Sequence, residues 1–239
     1  MTELLYQTDS YVREFPAVVT IADREQKAVA LDRSGFYPGG GGQPNDTGQL
    51  VTLGQRWLVS KTKKHGTDVW HFIEGELPAV GTRVTGLIDW DRRYKLMRVH
   101  TALHILCGVI WRDYGALVTG GNMEPGKARM DFEFERMQKE LVTEIEGRIN
   151  IEVAAARPVK VAILPREEAF KIPDLIRTKI NLLPEGITEV RTVEIEGLDL
   201  QADGGTHVAN TSEVRGIRIV DYLSKGRINK RLVIELQEE

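Results

Sequence analysis

The chain has 239 residues, 41% hydrophobic and 28% charged, with a formal net charge of −3, a balance that excludes a disordered chain and allows two modest hydrophobic cores. One cysteine, Cys107, excludes an internal disulfide framework, and the longest apolar run, Ala102 to Trp111, falls far short of the roughly 20 residues that cross a bilayer. The amino-terminal residues lack the pattern of a secretory signal, so a cytoplasmic protein without a membrane partner is expected.

From Phe15 to about Asp89 the chain reads as short alternating runs, FPAVVTIA, KAVALD, GQLVTL, RWLVSKT, VWHFIE and RVTGLI, broken by turn residues. Asp23 to Gln26 and His65 to Asp68 read as hairpin turns. So many short antiparallel strands remove their exposed edges by closing, which predicts a small antiparallel β-barrel over residues 1–90.

Helical spacing begins at Asp91, the expected N-cap, with Leu96, Val99, Leu103, Leu106 and Ile110 on one face and Gly115 at the end. Beyond a glycine-rich loop, Lys127 to Phe134 alternates as a strand with Ala128, Met130, Phe132 and Phe134 on one side. A second helix is expected over 136–156, repeating Met137, Leu141, Ile145 and Ile149 before Pro158 stops it. Strands are expected at Val159 to Leu164, Val190 to Glu196, Gly216 to Leu223 and Arg231 to Leu236. Two long helices on a largely antiparallel sheet make residues 91–239 an α+β domain.

His100 and His104 stand four apart on the first helix, which places both imidazoles on one face at a spacing that suits a shared metal ion. Thr101 holds the position where an HExxH protease carries its glutamate, so that mechanism lacks its base. Asp203-Gly204-Gly205-Thr206-His207 offers a tight turn and a third histidine. Helix histidines that satisfy local hydrogen bonds, and a glycine turn with an incidental histidine, are the competing structural readings; His65 and His71 are given no role. Four glycines, Gly39 to Gly42, follow Ser34-Gly35-Phe36-Tyr37-Pro38 and precede Gln43. The bulky residues argue for backbone that lies against a substrate rather than for a spacer, and no Gly-Lys-Ser/Thr ending follows. Basic clusters occur at Lys61, Lys63 and Lys64, at Arg92, Arg93, Lys95 and Arg98, and at Lys225, Arg227, Lys230 and Arg231. Solvated surface charge accounts for any one of them alone.

Taken in order, FYPGGGGQPNDTG, MRVHTALHIL, GKARMDFEF and DLQADGGTHVANTSEVRGIRI resemble the AlaX family, freestanding relatives of the alanyl-tRNA synthetase editing domain, in its longer two-domain form. The resemblance implies a deacylase that removes serine, and in some members glycine, from tRNA specific for alanine. It implies Zn²⁺ as cofactor, held by His100, His104 and His207. The family's fourth ligand is normally a cysteine; Asp203 stands there. Asp203 would bind the metal, bond to His207 or take a proton from water, with Cys107 a lesser substitute ligand. Ser34 replaces a frequent threonine whose hydroxyl and methyl help distinguish serine from alanine, so only the hydroxyl is kept, and Gly39 replaces a glutamate. Gly40, Gly41, Gly42 and Gln43 would meet the substrate, as would Gly204, Gly205 and Thr206, while Arg92, Arg93 and Lys95 would neutralise tRNA phosphates. The cysteine-to-aspartate change also admits a catalytically disabled tRNA-binding relative. Another metal-dependent hydrolase and a structural zinc domain are further alternatives. Serine versus glycine preference and oligomeric state stay open.

Overall fold

The structure, a computed structural model, describes residues 1–178 and 186–237. Its backbone contacts divide the chain into Met1–Lys95 and Leu96–Glu239.

In the first unit, all six runs read as strands are found. Strands β2 (Glu14–Asp23), β3 (Ala28–Leu31), β5 (Gly48–Val51), β6 (Arg56–His65), β7 (Asp68–Ile73) and β8 (Arg83–Ile88) close into an antiparallel barrel in the order β2-β3-β7-β6-β5-β8. A short β1 (Glu3–Leu4) runs parallel to β4 (Arg33–Ser34). Closure depends on β2, whose first half pairs with β8 and whose second half pairs with β3 across a register shift between Val19 and Ile21. Alternation delivers Phe15, Val19, Val29, Leu31, Leu50, Val59 and Ile73 to one core together with Phe36. Gly86 is required there: a Cβ would stand 2.4 Å from the Phe15 ring.

Helix α1 (Trp90–Tyr114) begins before Asp91, and the capping role falls to Asp89, whose carboxylate accepts the Arg92 backbone N–H at 3.2 Å. Gly115 ends it in the left-handed region with φ 62°. The expected single apolar stripe is too narrow a description. Leu96, Met97, Val99, Ala102, Leu103, Ile105, Leu106, Val109 and Ile110 are all buried, so the middle of α1 is enclosed on every side.

The rest of the second unit comprises β9 (Val118–Glu124), β10 (Lys127–Glu133), α2 (Lys139–Ala154), β11 (Val159–Pro165), the short α3 (Arg166–Ala169), β12 (Glu189–Ile195), β13 (Asp199–Ala202), β14 (Ile217–Ser224) and β15 (Asn229–Leu236). Among the described residues the strands form two antiparallel sheets, ordered β14-β15-β10-β9 and β11-β12-β13. The class is α+β, as expected. The strict alternation predicted for Lys127 to Phe134 breaks at a bulge between Asp131 and Phe132. Asp131 is buried there, held by Arg231 through two bonds of 2.7 Å. Helix α2 is shorter than 136–156: Gln138 is still extended ahead of its start at Lys139, and Ala156, at φ 51°, has already left the helix. No helix of the described residues is long and apolar enough to cross a membrane.

Candidate metal centre

The i, i+4 spacing on α1 turns His100 and His104 to one face, 4% and 6% exposed, with ring centroids 5.2 Å apart. The segment after β13 brings the other two groups. Asp203 Oδ2 accepts the Gly205 backbone N–H at 2.7 Å, closing a side-chain turn over the glycines, and four residues later His207 lies 4.2 Å from His100 and 4.7 Å from His104, ring to ring. His100, His104, Asp203 and His207 each place a donor atom within 4.8 Å of the others. The approach of α1 to the start of β13 depends on Gly108, where a Cβ would stand 2.9 Å from the Leu198 side chain and 3.0 Å from that of Asp199.

Two neighbours orient the rings. His104 Nδ1–H donates to Asp199 Oδ2 at 3.0 Å, so its Nε2 is left as a bare acceptor. His207 Nδ1 lies 3.2 Å from Thr101 Oγ1, which also accepts the Val208 N–H. Its Nε2 faces Asp203 Oδ2 at 3.0 Å, while His100 Nε2 faces Asp203 Oδ1 at 3.5 Å. Asp203 is itself fixed by Arg191, which donates Nη1–H to its carbonyl at 2.8 Å.

Burial pushes His100 well below the ordinary imidazole range against the pull of Asp203, and burial lowers His207 to about 4 despite its bond to Asp203. Burial also works against ionisation of Asp203, but the neighbouring His100 and the bond to His207 outweigh it and hold the carboxyl well below its usual range. Burial would lower His104 too; the bond to Asp199 and its charge raise it instead. The cluster therefore offers the neutral rings of His100 and His207 beside a charged carboxylate.

That donor set fits a divalent metal of the zinc kind. Imidazole nitrogens and one carboxylate suit such an ion, and two of the three rings have their outer nitrogens held by Asp199 and Thr101, as ligating histidines usually do. Cys107 is not in the group. Burial, with the charge of Asp199, pushes its thiol up, which suits a core residue rather than a thiolate ligand. Asp199 and the supporting role of Thr101 were not found from sequence, because both act through contacts between residues distant along the chain.

The residues expected to meet substrate fall in several settings. Ser34 is fully buried in the first unit, its hydroxyl donating to His71 Nε2 at 2.9 Å and accepting the Phe36 N–H at 3.1 Å. Gly40 and Gln43 exchange backbone hydrogen bonds of 3.0 and 2.9 Å around Gly41 and Gly42, which have φ of 56° and 86°, so the glycine run is an ordered hairpin tip. Gln43 is buried, Gly204 exposed and Thr206 fully buried. Arg93, expected to contact phosphate, is instead enclosed. Its guanidinium pairs with Asp46 and donates to Ser10 O at 3.0 Å and Gly35 O at 2.6 Å, pinning the loop that carries the glycines. Arg92 reaches Asn45 O at 3.2 Å, and Lys95 is exposed.

Residues 6–92 match the family described as tRNA synthetases class II (A), and residues 190–233 match the second additional domain of threonyl and alanyl tRNA synthetases. The chain is 40% identical, over 99% of both chains, to the alanyl-tRNA editing protein AlaX-M of Methanosarcina barkeri. It is 43% identical to the protein of the same name from Saccharolobus solfataricus, over 97% of this chain and 98% of that one. Against the alanine–tRNA ligase of Metallosphaera sedula it is 39% identical over 92% of its own length, which covers 24% of the ligase.

Proposed function

The chain belongs to the AlaX-M family of alanyl-tRNA editing proteins, and from that membership we propose that it deacylates tRNA specific for alanine wrongly charged with serine or glycine, using zinc held by His100, His104, His207 and Asp203. The observation that carries this reading is the convergence of four donor groups on one buried point, with His104 and His207 each held from behind. The reaction is ester hydrolysis. Water adds to the aminoacyl carbonyl carbon, the bond from that carbon to the ribose oxygen breaks, and a proton passes to the ribose oxygen.

Zinc, when bound, supplies a Lewis acid for this chemistry. The chain supplies the rest. Asp199 holds His104 in the tautomer that presents Nε2, and Thr101 steadies His207, so neither ring must reorganise. Asp203 brings negative charge to the site where the family carries cysteine, which keeps one anion in the donor set. The burial of His100, His104 and His207 restricts bulk water around the reacting ester. We assign the barrel, residues 1–90, to handling the tRNA and residues 91–239 to hydrolysis in the cytoplasm, with the ordered Gly40–Gly42 tip offering bare backbone to the nucleic acid.

The test compares seryl and alanyl esters of the same alanine tRNA, with the purified protein as prepared, after chelation and after zinc is restored. Loss of serine, sparing of alanine and dependence on zinc are expected. No hydrolysis of either ester with zinc supplied refutes the reading.

A further inference from the structure

Strand β6 carries Arg56, Lys61, Lys63, Lys64 and His65 with no acidic residue, in a chain whose formal net charge is −3. All five are exposed, and no carboxylate of the described residues pairs with Lys61, Lys63 or Lys64. The neighbouring strand adds a second chemistry. On β7, Val69, His71 and Ile73 point into the barrel core, so Trp70 and Phe72 alternate outward, each partly exposed. The register sets Lys63 opposite Trp70 and Lys61 opposite Phe72, and Lys61 Nζ lies 5.8 Å from the Phe72 ring centroid. On the other flank β3 sets Ala28 and Ala30, both fully buried, opposite Phe72 and Trp70.

Solvated lysines need no aromatic partners, and aromatic rings on a barrel exterior are not needed by the core. Unopposed cations interleaved with two rings on one strand, about 6.6 Å apart along the chain, combine the two features that bind an RNA strand. Lysines track phosphates and the ring faces stack bases. We propose that the outward face of β6 and β7 docks the tRNA, with Lys61 and Lys63 neutralising backbone phosphates and Trp70 and Phe72 stacking unpaired bases. The choice of tRNA as the RNA rests on the editing reading; the recognition of an RNA strand rests on this face alone.

The full-length protein is titrated with fluorescent, uncharged alanine tRNA at several salt concentrations. Replacing Lys61 and Lys63 with glutamine is expected to weaken binding about tenfold at physiological salt and to lower the slope of log affinity against log salt by about 1 to 2. Trp70→Leu with Phe72→Leu is expected to weaken binding about tenfold at an unchanged slope. If that aromatic pair fails to fold, the lysine variant decides alone through its slope. Unchanged affinity and slope in the lysine variant overturn the proposal, as does a wild-type protein that binds no tRNA. Seryl-ester hydrolysis on the same preparations separates the two ideas. Lysine-dependent binding without hydrolysis overturns editing and leaves the docking face standing, whereas hydrolysis with an unaltered lysine slope overturns the docking face alone.

Discussion

Ser34→Ala is expected to lower the stability of the protein rather than to retune its choice of amino acid. His71 Nδ1 lies 3.2 Å from the Val29 carbonyl and must donate to it, so Nε2 is an acceptor and takes the Ser34 hydroxyl proton at 2.9 Å. The same oxygen accepts the Phe36 N–H. Deleting it orphans two buried polar groups at about 1–3 kcal/mol each, so a total of about 2–4 kcal/mol is expected after partial relaxation. For a chain of this size that lowers the melting temperature by about 5–15 °C. Calorimetry and urea titration read the loss. Ser34→Thr keeps the hydroxyl and costs about 1 kcal/mol for a methyl in a packed site. Adding His71→Leu to Ser34→Ala removes the orphaned ring nitrogen and should recover part of the loss. A Ser34→Ala protein that melts within about 2 °C of wild type while discrimination between seryl and alanyl esters collapses would refute a structural role for the hydroxyl.

The same histidine gives the stability a pH dependence. Burial lowers His71 to about 4 from the ordinary 6.5, so the unfolded chain takes up the proton first as pH falls. Its contribution of about 3 kcal/mol is present above about pH 6.5 and lost by about pH 4, and urea titrations of the Ser34→Ala/His71→Leu pair should lack this limb. Asp199→Ala removes the acceptor on His104 Nδ1, and competition with a chromophoric chelator should show metal affinity reduced about 10- to 100-fold. Arg93→Met leaves Asp46 buried without its cation and should cost about 3–5 kcal/mol in urea unfolding, while the salt dependence of tRNA binding stays unchanged.

The strands of the barrel were legible because each alternates over a core and is bounded by turn residues; Asp23, for example, accepts the Glu25 and Gln26 N–H groups at the first hairpin. His100 and His104 were legible because helical spacing alone brings them together. Other features depend on contacts that local pattern does not encode. Strand β9 reads Val-Thr-Gly-Gly-Asn-Met-Glu, poor in strand formers, and exists through its pairing with β10. Asp89 caps α1 in place of Asp91, and Arg93 looks like any surface cation until Asp46 and two carbonyls are seen around it. His71 shows no role in the sequence because its partner, Ser34, lies 37 residues away in a segment whose pattern points to substrate recognition. Asp203 and His207 needed the Asp-Gly-Gly turn and Arg191 to set their direction toward α1.

The division of β2 between two partners has a consequence for synthesis. Its Glu14–Val18 half waits for β8, with Glu14 opposite Leu87 and Phe15 opposite Gly86. Until the ribosome has released that stretch, the nascent sheet has an open seam with bare amides along one side and Phe15 without the ring-sized gap at Gly86. The slow, sequence-distant pairing therefore comes last, and a fragment ending before β8 would expose the seam to other unfinished chains. Assembly of the amino-terminal unit is tied to a late event in its own translation, even though most of its hairpins can zip as they emerge.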